Sequence, residues 1–368
     1  MLPFTVRRPW LITRELLRSR ANPDVAPLAA IDDPDVFLWR ILPHAARTFA
    51  ACITLLPSDL ARAAGVAYSY CRILDTYEDL IVAPAERDDA LTRFSQRFQA
   101  PYDAMPGPAP ALSDSVAREP RDYSHILLVN RCHLIDRIFL TLAPPVRQHV
   151  AELVAAMADG MIWSSRAFAS QGGVLLDEQQ LSRYCRNVIG LPFLFGAQLQ
   201  LDQRPGVAMS ATLREDCLVA GEMVQLANVT RDIEKDLKRG VAYHPLLKGD
   251  LWRDLGGADA GDPALVERVR QVREALLRRA LHLAPAYERM MAALPFPTVS
   301  LARSSGVLML MFTDRYYRSC ARRVGQAPWR GDERTLSLML RSFGHTVSRR
   351  WSEQTLRTVT GRMAASGS

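Results

Sequence analysis

Asp75 and Asp79 stand four residues apart in the stretch YSYCRILDTYEDL (68–80). This stretch has no Gly or Pro, and its apolar positions recur at helical spacing. It predicts one helix with both carboxylates on the same face, about 6 Å apart along the axis. Like charges that close repel, weakly on an exposed surface and more strongly when buried. A solvated acidic face is the ordinary reading of one such pair. The alternative is a divalent cation that offsets the repulsion. Oxygen-only ligands suit Mg²⁺, with Mn²⁺ as a substitute, bound through one or two carboxylates plus substrate phosphates.

A second stretch moves the balance toward the metal. Residues 222–239 read EMVQLANVTRDIEKDLKR, again with a helical pattern. Asn228, Asp232 and Asp236 fall at i, i+4 and i+8, a stripe along one face. Arg231 lies beside the stripe, and Lys235, Lys238 and Arg239 follow. Two helices that each carry oxygen ligands flanked by cations describe a site for metal-bridged diphosphate. The carboxylates would hold the metal, and the Arg and Lys groups would take the outer phosphate oxygens.

The chain of 368 residues is 48% hydrophobic and 23% charged, a globular composition with ample length for a core. Its net charge of +7 suits an anionic substrate, an anionic membrane or nucleic acid. Nucleic acid is the weakest of the three. The chain has no zinc-finger spacing, no aromatic RNA-binding signature and no long Lys/Arg run. Six cysteines (Cys52, Cys71, Cys132, Cys185, Cys217, Cys320) lie scattered without CxxC pairing, several in apolar helical runs. They read as buried reduced thiols of a cytoplasmic protein. No apolar stretch reaches the roughly 18 residues of a membrane span. The N-terminal MLPFTVRRPWLITRELLRSR lacks a signal-peptide core. It reads as a first helix packed on the body or, alternatively, as an amphipathic segment in peripheral contact with a membrane.

Asp33 before Pro34 suits an N-cap followed by a first-turn proline, and a helix is expected from about 35 to 56. Pro57-Ser58-Asp59 opens the helix of the first acidic row, and another follows Pro84 to about 98. Residues 100–120, rich in Pro, Ala and Ser, are expected to form a mobile loop. Further helices are expected at about 121–141, 145–169, 177–201, 210–239, 264–293, 299–323 and 334–358, broken by Gly172-Gly173, by 202–206 and by 248–263. Gly240 fits a C-cap. No run of alternating β-branched residues and no repeat period appears. The expected architecture is all-α: an N-terminal segment (1–34), one helical domain (35–360) with the two acidic helices facing each other across a cavity, and a flexible tail (361–368).

Four segments within residues 35–325, the last of them running from Gln225 to Pro245, resemble the squalene/phytoene synthases, the head-to-head trans-isoprenyl diphosphate synthases. Ala46-Arg47-Thr48-Phe49 is similar to the family's SR[ST]F segment. Tyr68-x-x-x-Arg72-x-x-Asp75-Thr76-x-Glu78-Asp79 resembles the squalene-synthase form of the first acidic motif more than the DDxxD of phytoene synthases. Tyr184-Cys185 with Val188 and Gly190 resembles YCxxVAG. Gln225-x-x-Asn228-x-x-Arg231-Asp232-x-x-x-Asp236 matches the second acidic motif. Arg239-Gly240 with Tyr243 and Pro245 resembles the RGRxYLP that follows it. Each motif alone is modest, but their order and spacing together are specific.

The resemblance implies an isoprenoid-synthase-type helical bundle in which two prenyl diphosphates bind. Mg²⁺ held by Asp75, Asp79, Asp232 and Asp236, with Asn228 assisting, would draw diphosphate from the donor. The acceptor's alkene would attack the resulting carbocation, and proton loss would close the cyclopropane of presqualene diphosphate or its longer homologue. A second ionisation would then rearrange the skeleton. By motif position Arg47, Arg72 and Arg231 would bind diphosphate, with Gln225, Lys235, Arg239 and Tyr243 also lining the substrate. Tyr68 and Tyr184 would stand near the cation as proton relays, and Phe49 would offer a π face.

The chain also departs from the family pattern. Ala46 replaces the usual Ser, Lys235 stands where an acid is common, and Ile189, Pro192 and Phe193 replace small residues. No KIRKG-like stretch of the NADPH-using enzymes follows Cys320, which puts NADPH reduction in doubt. The reading is therefore condensation of two farnesyl diphosphates toward a C30 product. Phytoene synthesis from geranylgeranyl diphosphate, a class I terpene cyclase and a non-catalytic helical assembly factor stand as alternatives. Oligomeric state is open.

Overall fold

A computed structural model describes residues 25–46, 48–204, 206–326 and 334–367. The N-terminal amphipathic stretch therefore lies outside the described residues. The chain packs as two compact units, 1–162 and 163–368. The first contains α1 (Ala26–Ala29), α2 (Pro34–Ala46), α3 (Thr48–Leu55), α4 (Ser58–Leu80), α5 (Pro84–Ser95), α6 (Asp122–Asn130) and α7 (Cys132–Phe139). Helix α8 (Pro144–Ser170) carries the chain into the second, with α9 (Glu178–Cys185), a π-helical segment (Arg186–Gly190), α10 (Leu191–Asp202), α11 (Ala211–Arg231) and α12 (Ile233–Lys238). The second unit ends with α13 (Pro263–His282), α14 (Ala284–Ala293), α15 (Leu301–Arg323), α16 (Thr335–Gly344) and α17 (Arg349–Gly367). Among the described residues the only extended pairing is an isolated bridge between Val174 and Ala242. The all-α expectation holds.

The first acidic row sits on the helix its unit is built around, and the second begins on the corresponding helix of its unit. In the first unit α4 packs against α2, α3, α5, α6 and α7. Small side chains at Ala61, Ala63, Gly65 and Ala67 let its first half approach its neighbours; a Cβ on Gly65 would meet Leu38 at 3.3 Å. Farther along, Tyr70, Ile73, Leu74 and Tyr77 are fully buried, each contributing on the order of 2 kcal/mol. The buried phenols find partners: Tyr70 donates to Asp136 at 2.8 Å and Tyr77 to the Pro110 carbonyl at 2.6 Å. Arg97 closes on Asp136 at 2.5 Å, satisfying a carboxylate only 2% exposed. In the second unit α11 packs against α9, the π segment, α10, α13, α14 and α15.

Several expected helices are interrupted. Pro192 cannot donate to the Val188 carbonyl, and the expected helix 177–201 widens into the π segment just before it. Pro285 likewise has no N–H for Leu281, so 264–293 divides at Leu283. The 121–141 helix breaks at Arg131, whose guanidinium reaches the carbonyls of Ala29 and Ile31 and the Asp32 carboxylate at 3.0, 2.5 and 2.7 Å. The 35–56 stretch forms α2 and α3 rather than one helix. Asp33 does cap α2, accepting from the Val36 amide at 2.9 Å.

Two further segments are tied to their neighbours. Loop 100–120 is pinned by Tyr77 at Pro110 and by a two-way pairing of the Asn130 side chain with the Leu112 backbone, 2.8 and 3.0 Å. Residues 361–367 form the last turns of α17, with Met363 and Gly367 buried. All six cysteines are buried and unpaired by disulfide. Among the described residues no helix is long and apolar enough to cross a membrane.

Candidate active site

The first row is assembled on α4. Asp75 is 22% exposed at its side chain, and Asp79 one turn on is exposed. Arg72 bridges backward and forward: its guanidinium donates to the Tyr68 hydroxyl at 2.8 Å and pairs with Asp75 at 3.2 Å. Burial, opposed by Arg72 and reinforced by the Asp79 charge, pushes the Asp75 carboxyl up to about 6. Burial also raises the Tyr68 phenol, so it stays neutral. Phe49 stands over Tyr68 with ring centroids 5.5 Å apart. The structure thus brings together Phe49, Tyr68, Arg72, Asp75 and Asp79. Arg47 lies outside the described residues.

The second row differs from the sequence expectation. Asn228, Asp232 and Asp236 do not share one uninterrupted helix. Asp232 is the junction between α11 and α12, with φ −101° and ψ 16°. The i to i+4 bonds from Asp232 to Asn228 (3.0 Å) and from Asp236 to Asp232 (2.9 Å) persist, so the spacing of the row survives the break. Two carbonyls at the break accept from arginines instead: Thr230 from Arg273 at 3.1 Å and Arg231 from Arg323 at 3.0 Å.

Side chains in this row are engaged with one another. Arg231 grips both oxygens of Asp232, at 2.7 and 2.5 Å, with its guanidinium 5.0 Å above the Tyr316 ring. Asn228 donates to Gln225 at 3.0 Å. Lys235, Asp236 and Arg239 are half-buried. Gly240 takes φ +74° just past Arg239, which suits its expected cap role, and a Cβ there would collide with the Trp252 indole.

Tyr184 and Tyr243 form a separate aromatic group with Phe168. Tyr243 donates to the Tyr184 hydroxyl at 3.0 Å, their rings lie 4.9 Å apart, and Phe168 stands edge-on to both. The bridge from Val174 to Ala242 aligns this group, since Ala242 donates to Gly173 and accepts from Leu175. A Cβ on Gly173 would clash with the Gly240 carbonyl, so this closeness requires glycine. Of the substituted bulky residues, Phe193 packs edge-on against Tyr287 at 5.8 Å, and Ile189 is buried in the π segment.

The donor set of the first row suits a hard divalent cation: two carboxylates one turn apart, one of them held at an elevated proton affinity. Among the described residues no three His, Cys, Asp or Glu side chains gather into a cage of their own. A pair of carboxylates is what Mg²⁺ uses when phosphate oxygens and water complete its shell. In the second row Asp232 already has its charge matched by Arg231, so ligation there requires Arg231 to turn away. Sequence reasoning missed Phe168, Arg273, Tyr316 and Arg323. Each is distant in the chain from the motif it supports and carries no motif of its own.

Comparison with known proteins identifies the family. Residues 42–335 match the squalene/phytoene synthase family. Squalene synthase BSS of Botryococcus braunii is 26% identical over 239 residues, 63% of this chain and 48% of that protein. The phytoene synthase of Rhodobacter capsulatus is 22% identical over 237 residues, 63% of this chain and 58% of that protein. The chain thus spans about half the length of the curated relatives it matches. In three dimensions the solved complex of TcSQS with the ligand BPH1237 aligns at a TM-score of 0.66 and 19% identity, covering 91% of this chain and 92% of that one. The shared feature is the all-α isoprenoid-synthase fold, and the match across four-fifths of its length shows that this chain belongs to the squalene/phytoene synthase family.

Proposed function

We propose that the protein joins two prenyl diphosphates head to head, with farnesyl diphosphate as substrate and a divalent metal ion as cofactor. The observation that carries this reading is the Tyr68, Arg72, Asp75 and Asp79 constellation on α4: a carboxylate pair beside a guanidinium, next to an aromatic face, in the DTYED form of the first motif. Asp75 and Asp79 in one row and Asn228, Asp232 and Asp236 in the other would hold Mg²⁺ or Mn²⁺. The metal would supply positive charge to the departing diphosphate.

The chain's own groups account for the rest. Arg72, Arg231, Lys235 and Arg239 would meet the diphosphate oxygens as charge-assisted donors, and Arg231 would exchange Asp232 for phosphate. Tyr68 accepts from Arg72, which leaves its own proton to donate. Tyr184, itself accepting from Tyr243, is a second hydroxyl of the same kind. Phe49 and these rings would shelter cationic carbon from water.

A second reading, geranylgeranyl diphosphate as substrate, is favoured by one feature: the Arg239-Gly240-x-x-Tyr243-x-Pro245 run, which resembles phytoene-type members. A cyclase is disfavoured by Asp232 and Asp236, where such enzymes carry Ser and Glu. A scaffold gains nothing from carboxylates held together. Six buried free thiols suit a reducing, cytoplasmic setting. The test is mass spectrometry of lipids formed by purified protein with Mg²⁺ and each diphosphate, with and without NADPH. A C30 product from farnesyl diphosphate is expected, and consumption of neither diphosphate overturns the reading. A reduced product only with NADPH would assign the reductive step despite the missing basic stretch.

A further inference from the structure

Helix α16 is apolar on two opposite sides. Leu338, Met339 and Ser342 point inward, where α16 packs on α15. Leu336, Leu340 and Phe343 point outward, 50%, 63% and 49% exposed. Their i, i+4, i+7 spacing keeps them within about 60° of arc. Val347 in the following turn and Trp351 on α17 extend the patch, 68% and 44% exposed. The Trp351 indole lies against Gly344, where a Cβ would clash with the ring, and 4.5 Å from His345, which fixes it beside the stripe. A helix with an uncovered second apolar side lies against something.

Charge selects the occupant. Among the described residues, 334–353 carry four exposed arginines (Arg334, Arg341, Arg349, Arg350) against one acid, Glu353, which pairs with Arg349 at 2.8 Å. Arg341 and Trp351 also line a cavity of about 250 Å³ that includes Arg318, Arg362 and the Arg318-paired Asp314, three guanidiniums to one carboxylate. A second copy docked on this face about a two-fold axis would set arginine against arginine. The chain's own first 24 residues carry five arginines against two acids, the same sign of charge as this face. Exposed Leu and Phe, an interfacial Trp and a rim of arginines match the surface of an anionic bilayer.

We infer that the α16–α17 face docks on anionic phospholipid, with Leu336, Leu340, Phe343, Val347 and Trp351 entering the interface, Arg341, Arg349 and Arg350 meeting phosphates, and the arginine-lined cavity receiving a headgroup. None of these residues belongs to the proposed active site, so the inference stands independently of the catalytic reading.

Vesicle flotation of the full chain tests it, with phosphatidylcholine alone and with phosphatidylglycerol added. The protein should float with the anionic vesicles and leave them at high salt. Leu340→Glu with Phe343→Glu should lower the partition coefficient at least about tenfold, and Arg349→Ala or Arg350→Ala about fivefold each. Leu340→Ser with Phe343→Ser serves if the charged pair lowers the melting temperature, with a smaller loss expected in the same direction. Three outcomes overturn the inference. The wild-type chain fails to float. The α16 variants bind as wild type while Leu16→Glu with Leu17→Glu abolishes binding, which assigns the membrane to the N-terminal segment. Or the patch variants abolish a concentration-dependent dimer and leave flotation unchanged.

Discussion

Asp75 is held in its charged form at a disadvantage. Burial and the Asp79 charge raise its carboxyl to about 6 from an ordinary 3.8, more than Arg72 lowers it. The folded state thus binds this proton more tightly than the unfolded state does. Stability from this residue falls as pH rises through about 4 to 6 and stays reduced above it, by up to about 3 kcal/mol. Asp75→Asn should raise the melting temperature of the metal-free protein at neutral pH and bring little gain near pH 4, by thermal denaturation at both. The same variant should lower turnover of prenyl diphosphate at least about 100-fold. A folded variant with unchanged turnover removes Asp75 from the mechanism. Arg231 poses a different question, because it neutralises Asp232 in this structure. Arg231→Lys loses the two-pronged grip, and we expect KM for the diphosphate to rise about tenfold with kcat less affected.

At the scale of elements, α11 and the π segment meet backbone to backbone at Gly221. A Cβ on Gly221 would lie 2.7 Å from the Ile189 carbonyl and 2.6 Å from the Gly190 amide, both rigid backbone. Gly221→Ala should therefore destabilise by several kcal/mol (about 3 or more), whereas Gly249→Ala, with open space around it, should be near neutral. Urea titration of the two variants checks the contrast. Arg303 holds the α15–α17 corner by donating to the carbonyls of Pro297, Thr298, His345 and Thr346 while only 3% exposed. Arg303→Leu strands those acceptors and should cost about 3 kcal/mol or more in the same assay. The caps at Asp33 and Gly240 were legible because a cap needs only its own few residues. The break at Asp232 was not, because Arg273 and Arg323, which take the carbonyls freed there, come from far away in the chain.

The whole molecule carries net charge +7, and its acid stability has an identifiable part. His345 is 1% exposed, and burial, with Arg341 and Arg303 nearby, lowers it to about 4 from 6.5. Unfolded chains take up that proton first on acidification. Its contribution is complete above about pH 6.5 and is lost progressively down to about 4, by up to about 3 kcal/mol. His345→Phe should flatten the difference between urea midpoints measured at about pH 7 and about pH 4.5. Helical periodicity, the two acidic rows, the glycine cap and the family likeness are local patterns, and they could be read directly because spacing of a few residues sets which side chains share a face. Which helix each unit is built around, the π segment before Pro192, the junction at Asp232, the Arg231 clamp and the uncovered side of α16 depend on neighbours brought from distant chain positions. Those neighbours are chosen by packing and by the need to satisfy buried backbone, and neither has a signature in any short window of residues.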